Sequence, residues 1–287
     1  METLIKEKNI QKEVQATKIH KTAIVHPKAK LGKGVQIGPF AVINANVTLG
    51  QNVIVGNFCV IAGNTTIGDD CQFFTGAVIG SIPQDKKFRN DENTSLIIGQ
   101  NNIFREYMTV NHGTGMDGKT VIGNNNLFMA YAHIAHDCII GNNCTFANNG
   151  SLAGHVIVED MAVVGGLAAV HQFVRLGKLS IIGGCSKAVQ DIPPFSTCDG
   201  HPTRVYGLNA IGLKRAKIPL ATINHLKKAF KIFFYSGLLK KTAIEKVKQE
   251  CSASAEMDHL LSFMADSKRG VCSSSRYPRS NNVSEHF

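Results

Sequence analysis

None of the eight cysteines (Cys59, Cys71, Cys138, Cys144, Cys185, Cys198, Cys251 and Cys272) stands in a CxxC pair. That absence argues against a zinc ribbon and a disulfide framework, and makes a reducing cytoplasm the simpler expectation. No stretch approaches the roughly 20 apolar residues of a membrane span. The opening METLIKEKNIQKEVQ mixes acids with lysines and has no apolar run, so it resembles neither a secretory signal nor an Arg-rich transit peptide. Acids are scarce: 21 Asp and Glu face 31 Lys and Arg, a formal charge of +10. Such an excess points to an anionic partner without separating nucleic acid, phosphate ligands and acidic proteins. The 287 residues suffice for one large domain or two modest ones.

What the chain does have is a six-residue clock. From Ile19, an apolar side chain returns every sixth residue through Val25, Leu31, Ile37, Ile43, Leu49, Val55, Ile61, Ile67, Phe73 and Ile79. The beat pauses at SIPQDKKFRNDENTS, resumes at Ile98, Phe104 and Val110, pauses at NHGTGMDGKT, and then runs from Ile122 to Ile182. A helix repeats near 3.6 residues and a half-buried strand at 2, so neither explains this period. Short strands joined by tight turns do, in a mostly β fold: a parallel β-helix of triangular section. Each beat sends one side chain inward, and the glycines and asparagines between beats are expected to supply turn conformations. Three beats make one coil, so residues 18 apart stack on the same face.

From about Leu213 the period becomes helical, with Ile223, Leu226, Ala229, Phe230 and Phe233 at three- and four-residue spacings. The expected organisation is an N-terminal extension over 1–18 and a β-helix over 19–195, with loops near 80–96 and 111–120. A connecting segment and C-terminal α-helical domain follow over 196–267, then a disordered Ser-rich tail over 268–287. Ten Lys and Arg fall within 214–248 against the single acid Glu245. A solvated helix face explains such a run, as does an acidic partner.

The 18-residue stack brings candidate chemistry together. One coil beyond His136 is Gly154, and one coil beyond Asp137 is His155. A neutral His136 imidazole can take a proton from an alcohol, and Asp137 can orient it and stabilise its charged form. Gly154 leaves room for its backbone N–H to donate to an oxyanion. Base plus oxyanion donor suggests acyl transfer to a hydroxyl, and no serine or cysteine stands in an evident nucleophile motif. Other readings stay open at this point. His133 is equally well a hydrogen-bonded surface group and His171 a wall residue, while zinc held by histidines is the competing chemistry. The spacing of His133, His136, His155 and His171 does not compel a three-histidine site, so no metal is expected.

AHIAHD, NNGSLAGHV, AVHQF, IIGGCS, QDIPPF and YGLNAIGLKR together resemble the UDP-N-acetylglucosamine O-acyltransferases that begin lipid A synthesis, over roughly residues 23–267. The resemblance implies a left-handed β-helix and a cytoplasmic homotrimer with sites between neighbouring prisms. It implies transfer of an (R)-3-hydroxyacyl chain from acyl carrier protein to the 3-hydroxyl of UDP-GlcNAc, without a further cofactor or nucleic acid. It makes His136 the general base, Asp137 its supporting acid and Gly154 the oxyanion amide. Substrate contacts fall to Asp85, Lys87, His133, His155, His171, Gln172, Asn209 and Arg215. Gly184 becomes the acyl-chain ruler, where glycine leaves the groove long, and Lys227, Lys228 and Lys231 are expected to dock the carrier protein. Four positions depart from the pattern: Asn111-His112 replaces His-Arg, Ile211 an acid, Ala216 a second arginine, and Pro202 a histidine found in some relatives. They bear on nucleotide binding and on the choice between 3-hydroxyl and 3-amino acceptors. The sister N-acyltransferase carries a uridine-binding domain before its prism, for which this sequence has no room. The remaining alternatives are a γ-type zinc carbonic anhydrase and a non-catalytic scaffold that binds acyl carrier protein.

Overall fold

In the computed structural model, which describes residues 16–89 and 93–275, the clock becomes three parallel sheets visited in turn. Most strands are two residues long, because a six-residue beat leaves the other four to turn a corner. Ile37 pairs with Val55 and Val55 with Phe73, the anticipated 18-residue step. Across the first interruption Phe73 pairs with Phe104, and across the second Phe104 pairs with Phe128. The two interruptions therefore loop out of a coil without breaking the sheets.

The beat residues from Ile37 to Ile182 are buried. Four of them, Phe73, Phe104, Phe128 and Phe146, stack at centroid separations of 4.7, 4.9 and 5.0 Å, each pair contributing about 0.5–1.5 kcal/mol beyond its buried area. Ile19 departs from the pattern at 48% exposure, since no described coil lies beneath the first one. At one buried corner Asn102 donates to the carbonyls of Gly99 and Gly123 and accepts from the Asn126 amide, so its polar groups are satisfied.

The glycines after the beats divide: Gly80 takes the expected left-handed turn at φ +75°, while others serve close approach. Gly68 does not adopt a positive φ; a Cβ there would lie 2.8 Å from the carbonyl carbon of Gly99, so its smallness lets adjacent coils approach. The left-handed corner conformation falls, as expected, to Gly34, Gly63 and Gly76 and to Asn52 and Asn101, but also to Asp70 and even to Phe58, Tyr107 and Leu167.

The first sheet continues beyond residue 195. Ser196–Asp199 adds to it in parallel and pairs antiparallel with Arg204–Leu208. Four helices follow among the described residues: α1 (Ala210–Arg215), α2 (Leu220–Tyr235), α3 (Lys240–Glu250) and α4 (Ala255–Asp266). Helix α2 buries Ile223, Leu226, Ala229, Phe230 and Ile232, close to the stripe its sequence predicts. A polar lock ties α4 to the prism. His259 donates to Glu159 at 2.7 Å, the Lys178 amide donates at 2.8 Å, and the Arg175 guanidinium lies 4.3 Å from the centroid of the Phe263 ring. Burial acts to raise the Glu159 carboxyl, but His259, the Lys178 amide and Arg175 outweigh it and hold it below the usual carboxylate range.

The tail is a correction. From Lys268 to Ser275 it is ordered rather than disordered: Val271 bridges to Asp191 and Ser274 to Val205. Cys272 inserts into the core with its sulfur 3.9 Å from that of Cys198, and this apolar anchor outweighs the polar composition that predicted disorder. Residues 276–287 and the extension through residue 15 lie outside the described residues.

Candidate active site

His136 follows the strand His133–Ile134 at a corner whose next residue, Asp137, has φ +58°. That turn swings the Asp137 carboxylate back against the imidazole of its neighbour, and His136 Nδ1 lies 2.8 Å from Asp137 Oδ2. An ionised carboxylate only accepts, so Nδ1 carries the proton and Nε2 presents its lone pair. Both side chains are mostly sheltered, with 14% and 11% exposed.

Directly beyond the ring is Gly154. A Cβ there would lie 2.5 Å from His136 Cε1 and 2.6 Å from Nε2, so only glycine fits without moving the imidazole. His155 sits 5.1 Å from His136, ring edge to ring face, with Nε2 3.7 Å from Asp137 Oδ2. Its other face stacks on Phe173 at 4.6 Å. His133 shares Nδ1 with Thr109 Oγ1 at 2.7 Å; burial first, then repulsion from His136, pushes its pKa down.

Asp137 has a second anchor that the repeat pattern does not reveal. Thr114 donates from its hydroxyl at 2.6 Å and from its backbone N–H at 3.0 Å. Burial acts to raise the Asp137 pKa, yet the hydrogen bonds from Thr114 and His136 outweigh it and leave the carboxyl below its ordinary value. Phe173 was within reach of sequence reasoning, being one coil beyond His155. Thr114 was not, because it lies in an interruption whose path the repeat does not set.

The other predicted residues are dispersed. His171 and Gln172 are exposed one coil beyond Ala153 and Gly154, and Arg269 of the ordered tail approaches His171 Nδ1 at 3.3 Å. Asp85 accepts from the backbone N–H of Lys87 within its own loop. Asn209 caps α1 by accepting from Gly212 N and donates to the Leu179 carbonyl, while Arg215 is exposed at the far end of that helix. Among the described residues, none of Asp85, Lys87, Asn209 and Arg215 hydrogen-bonds to the His136 cluster within this one chain. Gly184 is exposed, and a Cβ there would meet only the Gly166 backbone, at 3.2 Å from its oxygen. Lys228 and Lys231 line a groove on α2 with Ile232, Tyr235 and Ser236; Lys228 also pairs with Glu250 at 3.0 Å. No helix among the described residues is long and apolar enough to cross a membrane.

Hexapeptide coils carrying a sheltered histidine–carboxylate pair against a bare glycine define a transferase of the hexapeptide class. Family models agree: bacterial transferase hexapeptide repeats match residues 46–81 and 119–154, and the second domain of UDP-N-acetylglucosamine O-acyltransferase matches 191–272. The acyl-[acyl-carrier-protein]–UDP-N-acetylglucosamine O-acyltransferase of Thermodesulfovibrio yellowstonii is 49% identical over 88% of this chain and 98% of its own. That of Alkalilimnicola ehrlichii is 45% identical over 89% and 99%. The solved LpxA structure from Acinetobacter baumannii aligns at TM-score 0.85 with 39% identity, covering 88% of this chain and 99% of that one. The Francisella novicida UDP-N-acetylglucosamine acyltransferase aligns at 0.86 with 32% identity, over 94% and 100%. The chain belongs to the LpxA family of UDP-N-acetylglucosamine O-acyltransferases, hexapeptide-repeat enzymes of acyl transfer.

Proposed function

We propose that this chain transfers an (R)-3-hydroxyacyl group from acyl carrier protein to the 3-hydroxyl of UDP-GlcNAc, the first step of lipid A synthesis in the cytoplasm. The observation that carries the mechanism is the contact of Gly154 with an imidazole whose Nδ1 is held by Asp137. His136 Nε2 takes the proton of the sugar hydroxyl as its oxygen attacks the thioester carbonyl. The Gly154 N–H donates to the oxygen that becomes negative. Collapse expels the pantetheine thiolate, which takes the proton back from the imidazolium. Asp137 stays ionised throughout, and His133, His155, His171 and Gln172 line the approach.

Asp85, Lys87, Asn209 and Arg215 act from a neighbouring prism of a homotrimer; that none of them hydrogen-bonds to the His136 cluster among the described residues of one chain supports this reading. The coils are left-handed, against the usual preference of parallel crossovers, a reading supported by the alignments over nearly the full length of the solved relatives. Asn209 acts indirectly, by capping the helix that presents Arg215. Gly184 leaves a long acyl groove, and Lys227, Lys228 and Lys231 receive the acidic carrier protein.

A second reading rests on one observation: ligand atoms of His136, Asp137 and His155 lie within 4.8 Å of one another and could hold a metal ion. A zinc hydratase would bind stoichiometric zinc and lose carbon dioxide hydration to a chelator. A carrier-protein scaffold would bind its partner without turnover. His136→Ala decides for the leading reading, with an expected fall in kcat of about 10²- to 10⁴-fold. A folded variant with near-wild-type turnover would remove His136 as the base.

A further inference from the structure

The segment Asn111-His112-Gly113-Thr114 departs from the hexapeptide pattern and holds two things at once. Its first two residues grip the loop that leaves the prism after Ser81. Asn111 Nδ2 donates to Ser81 Oγ at 2.9 Å and to the Ile82 carbonyl at 3.0 Å, where the loop departs. His112 Nδ1 lies 2.8 Å from Thr94 Oγ1, where the loop returns, and 3.0 Å from the Gly113 carbonyl, which obliges that nitrogen to carry a proton. The His112 ring meets Phe88 edge-on at 5.4 Å, and the Phe88 N–H closes the turn onto the Asp85 carbonyl at 3.0 Å. Two residues later Thr114 binds the Asp137 carboxylate.

The grip has a preferred sense. Because the Ile82 carbonyl only accepts, the Asn111 amide must point its NH₂ at the loop. Its Oδ1 is then buried with no hydrogen-bond partner among the described residues, an unusual state that asks for an explanation. Gly113 is buried too, and a Cβ there would run into the Gly118 backbone, so the segment passes through a space only glycine allows.

We infer that Asn111-His112-Gly113-Thr114 is a linchpin that fixes the Asp85–Lys87 loop to the prism at the point where it also holds Asp137, and so sets how that loop reaches the site it serves on the neighbouring prism. Asn111 and His112 are positioning residues, acting through the loop rather than on the substrate. The inference rests on the acyltransferase reading for its kinetic consequence but not for its structural one. The test therefore has two arms, using full-length Asn111→Ala, Asn111→Asp and, cutting the same grip from the loop side, Thr94→Val.

In hydrogen–deuterium exchange without substrates, amides of residues 81–89 should exchange about tenfold faster in all three variants, as expected when one buried hydrogen bond is lost. Residues 138–158 should exchange as in the wild type. Asn111→Asp, near-isosteric but with an acceptor facing a carbonyl, should free the loop at least as much as Asn111→Ala. In kinetics, Asn111→Ala should raise KM for UDP-GlcNAc about tenfold with less change in kcat. In an Asp85→Ala background the same change should cost less than about twofold, since the loop then has less to position. Unchanged loop exchange, or an Asn111→Ala penalty that adds in full to that of Asp85→Ala, would overturn the inference. Faster loop exchange in a protein whose wild type has no acyltransferase activity would refute the function and leave the structural grip standing.

Discussion

Replacing Gly154 by alanine tests the site with a single methyl. The added Cβ would stand 2.5 Å from His136 Cε1 and 2.6 Å from Nε2, whereas carbon atoms rest at about 3.5 Å or more, so the ring must retreat by about 1 Å. The backbone supplies no strain of its own, because Gly154 is not among the positive-φ glycines. Retreat stretches the 2.8 Å bond to Asp137 and moves Nε2 off its line to the substrate hydroxyl. A misplacement of about 1 Å can cost about 10²-fold in rate, while overpacking costs about 1–3 kcal/mol of stability. Steady-state kcat/KM and thermal unfolding should be measured for Gly154→Ala, His136→Ala and the double variant. Alanine at 154 should lower kcat/KM about a hundredfold in the wild type and add little once the imidazole is gone. Turnover within twofold of wild type, or full additivity with His136→Ala, would refute the reasoning.

Three further outcomes follow from the same geometry. Because the Asp137 pKa is depressed in the folded protein, its contribution to stability is complete above the ordinary value of 3.8 and is lost as pH falls through the folded value. Thr114→Val removes the hydroxyl bond and brings the folded value closer to 3.8, so Asp137 should contribute less stability and that contribution should be exhausted at a higher pH, while the activation free energy of turnover should rise by about 1.5–3 kcal/mol; overlapping acid-unfolding curves would contradict this. Gly184→Met extends from an exposed position that meets only the Gly166 backbone, so it should shift preference from fourteen- to ten-carbon donors with little change in melting temperature. An unchanged chain-length profile would remove the ruler. Replacing Lys227, Lys228 and Lys231 together should weaken carrier-protein binding at low salt and flatten its salt dependence, read by titration at two ionic strengths. Unchanged affinity at low salt would move the docking site elsewhere.

The repeat carried far in the sequence because each beat is decided locally: a residue such as Phe128 has an inward side chain whatever the neighbouring loops do. The same regularity placed Gly154 beyond His136 and His155 beyond Asp137. It ended where the chain leaves the coil. Thr114 reaches Asp137 through a loop whose path depends on Gly113 passing Gly118, a tertiary contact with no periodic signature. Residues 268–275 depart from the expected disorder for a related reason, since Cys272 finds a core partner 74 residues away in sequence. Asn209 carries a recognisable motif residue, but the motif did not show that both ends of its amide serve the fold.

The most direct measurement is to incubate purified wild-type and His136→Ala protein with UDP-GlcNAc and 3-hydroxyacyl carrier proteins, then identify UDP-linked products by mass spectrometry. A 3-O-(3-hydroxyacyl) product from the wild type, with a rate about 10²- to 10⁴-fold lower from the variant, is the predicted result. No acylated sugar nucleotide from folded wild type, or equal yield from both proteins, would contradict the account.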